Sequence, residues 1–191
     1  MHESVLAELV RDGIVESQHF GHLIALDSTG APALIKGNPN ELIYPRSAIK
    51  SIQASAMVRK GLAQEVRSLA LVCASHSGSG AHQEVALEIL RSAGLTESAL
   101  QCVVDRPLGA QERKEWGDKA PTRLAMNCSG KHAGMLATCV ANNWPIENYL
   151  EPTHPLQIAI REELETLAGE KVSHITVDGC GAPLFLISIH G

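Results

Sequence analysis

Short strand-like runs alternate with longer helical stretches along the chain, and this alternation constrains the fold more than any other feature. Turn residues follow the strand-like run at 19–27, and residues 31–36 can return as the second arm of a hairpin. Near the end of the sequence, strand-like runs at 175–177 and 184–189 lie on either side of the tight turn 178–181. We therefore predict strands in the first and last parts of the chain.

The stretches between these strands have helical patterns. Pro45 suits the first turn of a helix, and we predict that this helix covers about 46–60. Residues 81–93 form an amphipathic pattern that stops at Gly94. The remaining predictions are helices at 129–141 and 155–167 and a buried strand for the short apolar run at 69–74. Because only 3% of the residues are aromatic, Leu, Ile, Val and Ala must build the core.

Size and charge exclude several classes of protein. The 191 residues are enough for one domain with a buried core. The net charge is −5, and no run of Lys and Arg forms the basic patch that nucleic-acid binding requires. The longest apolar runs are far too short to cross a bilayer. We predict a single domain, residues 1–191, with neither a nucleic-acid nor a membrane partner.

The cysteines indicate a reducing compartment. There are five of them, an odd number, and their spacing is irregular. The start of the chain lacks the basic residues and apolar stretch of a signal peptide. The thiols therefore read as free groups or metal ligands rather than as a disulfide framework. We predict a cytoplasmic location.

The first candidate for chemistry is the pair Ser47 and Lys50 in the predicted helix 46–60. Residues three apart share one helix face, so the amine can reach the hydroxyl. A neutral lysine can act as a general base for a serine nucleophile, and burial with the neighbouring Arg46 would lower its pKa. The alternative is an ordinary surface serine and lysine, since about half an SxxK is expected by chance in this composition.

The second candidate is the loop 75–82, which follows the apolar run at 69–74. Its small residues can present backbone N–H groups and hydroxyls to a ligand. Gly78 and Gly80 resemble part of a dinucleotide-binding loop, but Gln83 occupies the third glycine position, which excludes that site. The alternative is a flexible surface connection.

Two cysteine-containing segments form the third candidate. Cys128 and Lys131 are three residues apart at a predicted helix start, so their side chains can converge, and the helix N-terminus favours a thiolate. The Gly-Lys pair here is not a phosphate-binding loop, because His132 follows the lysine. Glycines around Cys180 permit a sharp turn that presents its thiol, with Asp178 nearby. Two cysteines can supply half of a zinc site, or both can simply be small buried apolar residues.

In this order along the chain, the segments resemble the bacterial L-asparaginase II family of Ser-Lys amidohydrolases. The matching segments are ESQHFG at 16–21, YPRSAIK at 44–50, ASHSG at 74–78, NCSGKHAGM at 127–135 and DGCGAP at 178–183. The resemblance implies a mixed α+β fold similar to that of serine β-lactamases and glutaminases. It also implies hydrolysis of the side-chain amide of L-asparagine to L-aspartate and ammonia.

The resemblance assigns roles to particular residues. The implied catalytic residues are Ser47, Lys50 and Ser75, with Ser77 left open as an alternative to Ser75. The implied ligands of a bound zinc are Cys128, Lys131 and Cys180. Arg46 and His132 are the expected substrate-binding residues, and Asp178 is expected beside the metal ligands. A lysine can bind zinc only as the neutral amine, so the metal must displace a proton from it.

One departure from the family leaves a second function open. Family members continue beyond the length of this chain, and the lysine partner of the second serine lies in that later part. We therefore expect the C-terminal portion of the family domain to be missing and the sheet to be incomplete, with an exposed edge. The alternative function is a catalytically impaired remnant that binds zinc without turnover. The sequence does not decide the oligomeric state, and a homodimer is one alternative.

Overall fold

The computed structural model describes residues 3–191, so the first two residues of the predicted domain 1–191 lie outside the described part. The strands are β1 (Ser4–Arg11), β2 (Ile14–Gly21), β3 (Leu23–Leu26), β4 (Pro32–Lys36), β5 (Leu42–Ile43), β6 (His174–Val177) and β7 (Pro183–Ser188). The helices are α1 (Lys50–Arg59), α2 (Val66–Val72), α3 (Gly80–Ser92), α4 (Ala110–Trp116), α5 (Ser129–Ala141) and α6 (Pro155–Ala168). The predicted mixed α+β class is confirmed. In the described chain, no helix is both long and apolar enough to span a membrane.

The strands form small antiparallel sheets. β1 pairs with β2, β3 pairs with β4, and β5, β7 and β6 make a three-stranded sheet in that order. The predicted strand at 19–27 is interrupted at His22, whose Nδ1 accepts a hydrogen bond of 2.9 Å from the Asn38 backbone. The predicted hairpin that follows is confirmed as β3 and β4. Its turn is held by Asp27, whose Oδ1 accepts from the backbone of Thr29 and Ala31 at 2.8 and 3.0 Å.

The predicted strands near the end of the chain are confirmed as β6 and β7, and the turn between them carries Cys180. The Asp178 N–H donates to the Ala182 carbonyl and the Gly181 N–H donates to the Asp178 carbonyl, both at 2.8 Å. Gly181 has a φ of +89°, which a side chain would disfavour. β7 is the central strand of its sheet, and Phe185 in it is 1% exposed. The tight turn therefore leads into a firmly packed strand.

Helix α5 lies at the centre of the helical part, at the bounds that the sequence predicts. Its residues from Ser129 to Cys139 are all buried, and it packs against α1, α2, α3 and α6. Two glycines permit the approach of α2. A Cβ on Gly130 would lie 2.7 Å from Leu71 Cγ, and a Cβ on Gly134 would lie 2.8 Å from Val72 Cγ2. This packing fixes the start of α5, where Cys128 and Lys131 lie.

Two predictions about helices need correction. The run at 69–74 is not a strand but belongs to α2, in which Ser68, Leu71 and Val72 are buried at the three- and four-residue spacing of a helix face. A short apolar run cannot distinguish a buried strand from a buried helix. The helix predicted at 46–60 begins as a 3-10 turn, Arg46–Ile49, before α1. Arg46 has a φ of +50°, an uncommon conformation for a residue with a side chain.

Candidate active site

The amine of Lys50 is the centre of the site. Lys50 is the first residue of α1 and is 2% exposed. Its Nζ donates to the Ala74 carbonyl at 2.7 Å, to Ser75 Oγ at 2.8 Å and to Cys128 Sγ at 3.1 Å. Three contacts use all three hydrogens of an ammonium group. Burial has the largest effect and lowers the pKa of Lys50. The neighbouring Cys128 raises that pKa, and the positive charge of Lys131 lowers it.

Ser75 lies between Lys50 and Ser47. Its Oγ accepts from the amine and donates to Ser47 Oγ at 3.0 Å. Within residues 3–191, Lys50 makes no direct hydrogen bond to Ser47, because the loop and Cys128 take its three hydrogens. Both serines are exposed, whereas the amine is buried. The arrangement is a short chain of hydrogen bonds that leads from a buried amine to the surface.

Ser77 lies on the other side of the same loop. Its Oγ donates to Glu112 Oε1 at 2.5 Å and lies 3.3 Å from His82 Nδ1. Of the two serines that the sequence left open, Ser75 is therefore the one placed against Lys50. The loop therefore directs Ser75 and Ser77, two residues apart, to different neighbours, which the sequence pattern does not reveal.

Cys128 and Lys131 come together with Cys180, although Lys131 and Cys180 are 49 positions apart in the sequence. They are 4%, 2% and 2% exposed, and Lys131 Nζ donates to Cys180 Sγ at 3.3 Å. A hydrogen bond from Cys180 lowers the pKa of Cys128 to about 6, with burial opposing and the ammonium groups of Lys131 and Lys50 assisting. The same sulfur–sulfur contact and burial raise the pKa of Cys180. The negative charge of the pair therefore resides on Cys128.

These three side chains have the donor types of a zinc site, and the separation of Lys131 and Cys180 is close to that of two zinc ligands. Two ligands of a tetrahedral zinc, one sulfur and one nitrogen, are about 3.6 Å apart, and Lys131 Nζ is 3.3 Å from Cys180 Sγ. His132 Nε2 is a buried nitrogen without a hydrogen-bond partner in the described chain. No group of three or more His, Cys, Asp or Glu side chains in residues 3–191 is arranged to hold a metal ion, and the present cluster differs from such a group because one of its donors is the Lys131 amine. The residues fit the metal.

His132 lies behind the cysteines rather than among the exposed serines. It is 0% exposed, and its Nδ1 lies 2.8 Å from the hydroxyl of Tyr149, which is also fully buried. The Tyr149 oxygen accepts from the Gln101 N–H at 3.1 Å, so its own hydrogen is free for His132 Nδ1. Sequence reasoning missed Tyr149. The available signal was that a tyrosine buried in a core needs a polar partner.

Arg46 and Asp178 connect the serine segment to the Cys180 turn. Arg46 Nη2 lies 3.2 Å from Asp178 Oδ1, and the Cys180 thiol donates to Asp178 Oδ2 at 3.7 Å. The Arg46 side chain is 67% exposed, so most of its N–H donors face solvent. The site thus combines a buried amine, two exposed hydroxyls, a buried thiol of lowered pKa and an exposed guanidinium. A hydroxyl linked to an amine of lowered pKa can be activated as a nucleophile.

Comparison with known proteins assigns a family to this arrangement. The family model described as L-asparaginase II matches residues 7–191. The matched span contains every candidate residue from Arg46 to Cys180. A search of curated proteins gave no match. The family that the motifs indicate in the sequence is therefore the one found by the comparison.

Proposed function

Because the chain belongs to the L-asparaginase II family, an asparaginase-type amidohydrolase, we propose that it hydrolyses the side-chain amide of L-asparagine to L-aspartate and ammonia. We assign the chemistry to Ser47, Ser75 and Lys50. The observation that carries this assignment is the hydrogen-bond chain from Lys50 through Ser75 to Ser47, with steps of 2.8 and 3.0 Å.

The chain of hydrogen bonds can move a proton away from Ser47. A neutral Lys50 has two hydrogens and one lone pair, so Ser75 can donate to the amine instead of accepting from it. Ser75 Oγ then accepts the hydrogen of Ser47. Transfer along this path leaves Ser47 as an alkoxide and Lys50 as an ammonium group. The burial that lowers the pKa of Lys50 keeps the neutral form within reach.

Attack by Ser47 on the amide carbon forms the bond from Oγ to the side-chain carbonyl carbon of the substrate. The carbon–nitrogen bond breaks, and the proton held by Lys50 returns through Ser75 to the leaving nitrogen, which departs as ammonia. Water then attacks the ester carbon while Lys50 takes the water proton through Ser75. The bond from the carbon to Ser47 Oγ breaks, and Lys50 returns the proton through Ser75 to that oxygen, which releases aspartate and restores Ser47. The same two serines and one lysine serve both steps.

The exposed guanidinium of Arg46 suits the α-carboxylate of asparagine. Its planar fork can bind a carboxylate through two N–H groups, and only one of its nitrogens contacts Asp178, at 3.2 Å. Asp178 fixes the guanidinium, and Arg46 directly precedes Ser47 in the chain. A bound carboxylate would therefore lie close to the nucleophile. We assign no substrate contact to His132, because its side chain is 0% exposed.

The proposal includes a zinc ion held by Cys128, Lys131 and Cys180. The support is the convergence of these buried side chains, the lowered pKa of the Cys128 thiol and the unpartnered nitrogen of His132. When bound, zinc supplies Lewis acidity toward a carbonyl oxygen or a fixed point that orients the substrate. Lys131 must bind as the neutral amine, so uptake of the metal releases its proton.

Location and assembly rest on fewer observations. All five cysteines are free in the structure, which is the state that the cytoplasm maintains. We therefore propose a cytoplasmic enzyme. A homodimer stays a prediction.

Ammonia release from L-asparagine tests the proposed function. The parent, with zinc supplied, should release ammonia, and Ser47→Ala and Ser75→Ala should each lower the rate by at least about 100-fold. Ser51→Ala is the matched control, since Ser51 is exposed on α1 and should leave the rate unchanged. Zinc binding by a folded parent that releases no ammonia would instead support the alternative, a protein that binds the metal without turnover.

A further inference from the structure

The loop that carries Ser75 is held from its outer side by Glu112 of α4, and we propose that Glu112 is a positioning residue for the proposed reaction. The inference rests on the proposed function, because it concerns the placement of Ser75 against Lys50. Glu112 acts through Ser77, which lies two residues beyond Ser75. It does not belong to any motif found in the sequence.

Ser77 is tied to the start of α4 by both its side chain and its backbone. Its Oγ donates to Glu112 Oε1 at 2.5 Å, and its carbonyl accepts from the Gly109 N–H at 2.8 Å. A hydrogen bond to a carboxylate is about twice as strong as one between neutral groups. Ser77 lowers the pKa of Glu112 more than any other neighbour, followed by the backbone N–H of Glu112 itself, so this acceptor is charged at neutral pH.

The inner side of the loop is held by the start of α5. The His76 N–H donates to the Asn127 carbonyl at 3.1 Å, and His76 Nε2 lies 2.9 Å from Ser129 Oγ. Gly78 closes the arrangement, with a φ of +87° and so little space that a Cβ would lie 2.8 Å from Pro107 Cα. The loop is therefore held by α4 on one side and by the start of α5 on the other.

Ser75 itself has weaker support. It is exposed, it lies between α2 and α3 outside regular structure, and in the described chain its side chain forms hydrogen bonds only with Lys50 and Ser47. Exposed loop residues of this kind move unless their neighbours are held. Release of Ser77 would let Ser75 leave its 2.8 Å contact with Lys50, which is the step that the proton path requires.

The role of Glu112 is indirect. The cleft that it lines also contains Ser79, Gln83 and Trp116, whereas neither Ser47 nor Ser75 belongs to that cleft. Its carboxylate oxygen Oε1 is engaged by Ser77, and His82 Nδ1 lies on the far side of that hydroxyl at 3.3 Å. Glu112 therefore does not face a substrate at Ser47. A change at Glu112 should alter the rate of the chemical step rather than the binding of asparagine.

The test compares three variants of the full chain. Glu112→Ala should lower kcat by about 10- to 100-fold, the range expected from a small misplacement of a reacting group, with KM and zinc content unchanged. Glu112→Gln keeps an amide oxygen for Ser77 and should recover part of this loss. Glu115→Ala is the control, because Glu115 lies on the same helix and contacts Gln111 rather than the loop. Adding Ser77→Ala to Glu112→Ala should cause no further loss.

Hydrogen–deuterium exchange separates this inference from the proposed function. Glu112→Ala should speed exchange of the amides of His76 and Gly109, which hold the two sides of the loop, and Glu115→Ala should not. This readout needs no turnover. Unchanged exchange in Glu112→Ala, or a kcat equal to that of Glu115→Ala in an active parent, would overturn the positioning role alone. An inactive parent with the expected exchange pattern would overturn only the proposed function.

Discussion

The Nζ of Lys50 lies 3.1 Å from the Sγ of Cys128, so the proposed general base and a proposed zinc ligand share a hydrogen bond. The contact joins the two halves of the site, since Cys128 directly precedes α5 and Lys50 begins α1. The negative charge of Cys128 opposes the loss of the proton from Lys50, whereas burial favours it. Donation of sulfur electron density to a metal would weaken that opposition. The charge on Cys128, and any metal bound to its sulfur, therefore affects the pKa of Lys50.

The first prediction concerns the metal. Cys128→Ala and Cys180→Ala should each lower zinc content from about one ion per chain to less than about a tenth. Each variant keeps only one cysteine and the Lys131 amine, and two protein ligands bind zinc weakly. Metal analysis after dialysis measures this. Cys73→Ala is the control, since Cys73 lies partly buried outside the cluster, and it should keep the zinc. Full zinc content in Cys180→Ala would contradict the assigned ligands.

The second prediction concerns the packing that fixes the start of α5. Gly134→Ala places a methyl group 2.8 Å from Val72 Cγ2 and should lower the free energy of unfolding by about 1–3 kcal/mol. Gly80→Ala is the matched control, because a Cβ there meets nothing within 4 Å and the residue begins α3. Urea unfolding of the two variants and the parent measures the difference. Equal stability of Gly134→Ala and Gly80→Ala would contradict the close approach of α2.

The third prediction concerns the pH dependence of stability. Burial lowers the pKa of His76 to about 4 from the ordinary 6.5, and the neighbouring His82 and Lys50 add to the shift. His76 is thus neutral in the fold. Its contribution to stability is complete above pH 6.5 and is lost as the pH falls from 6.5 toward 4, because the unfolded chain takes up the proton first.

His76→Gln isolates this contribution, since glutamine can hydrogen bond to Ser129 but cannot take up a proton. We expect the free energy of unfolding of the variant to fall less than that of the parent between pH 6.5 and pH 4. Urea unfolding at several pH values measures both. Parallel curves for the two proteins would show that His76 is protonated in the fold.

Local patterns in the sequence predicted the elements that carry the site. The start and end of α5 agree with the predicted 129–141, because its apolar residues follow one helical pattern. The strands on either side of the Cys180 turn are also confirmed, since glycines mark the turn. The family was accessible for the same reason, as its motifs lie in these local segments.

Contacts between distant segments could not be predicted. The hydrogen bond from Ser77 to Glu112 joins residues 35 positions apart, and nothing in the sequence around Glu112 distinguishes it from the other glutamates. The placement of Ser75 between Lys50 and Ser47 depends on the path of a loop without regular structure. The apolar run of α2 is too short for its hydrophobic periodicity to distinguish a helix from a strand. Such features depend on the packing of segments that are distant in sequence, so local sequence patterns do not predict them.

The rate of ammonia release by Lys50→Arg tests the central claim most directly. Arginine keeps the positive charge and the hydrogen-bond donors of Lys50 but cannot take up a proton at neutral pH. The proposed proton path therefore predicts a loss of at least about 100-fold in kcat while the variant stays folded and binds zinc. A kcat within a few-fold of the parent would contradict the assignment of Lys50 as the base.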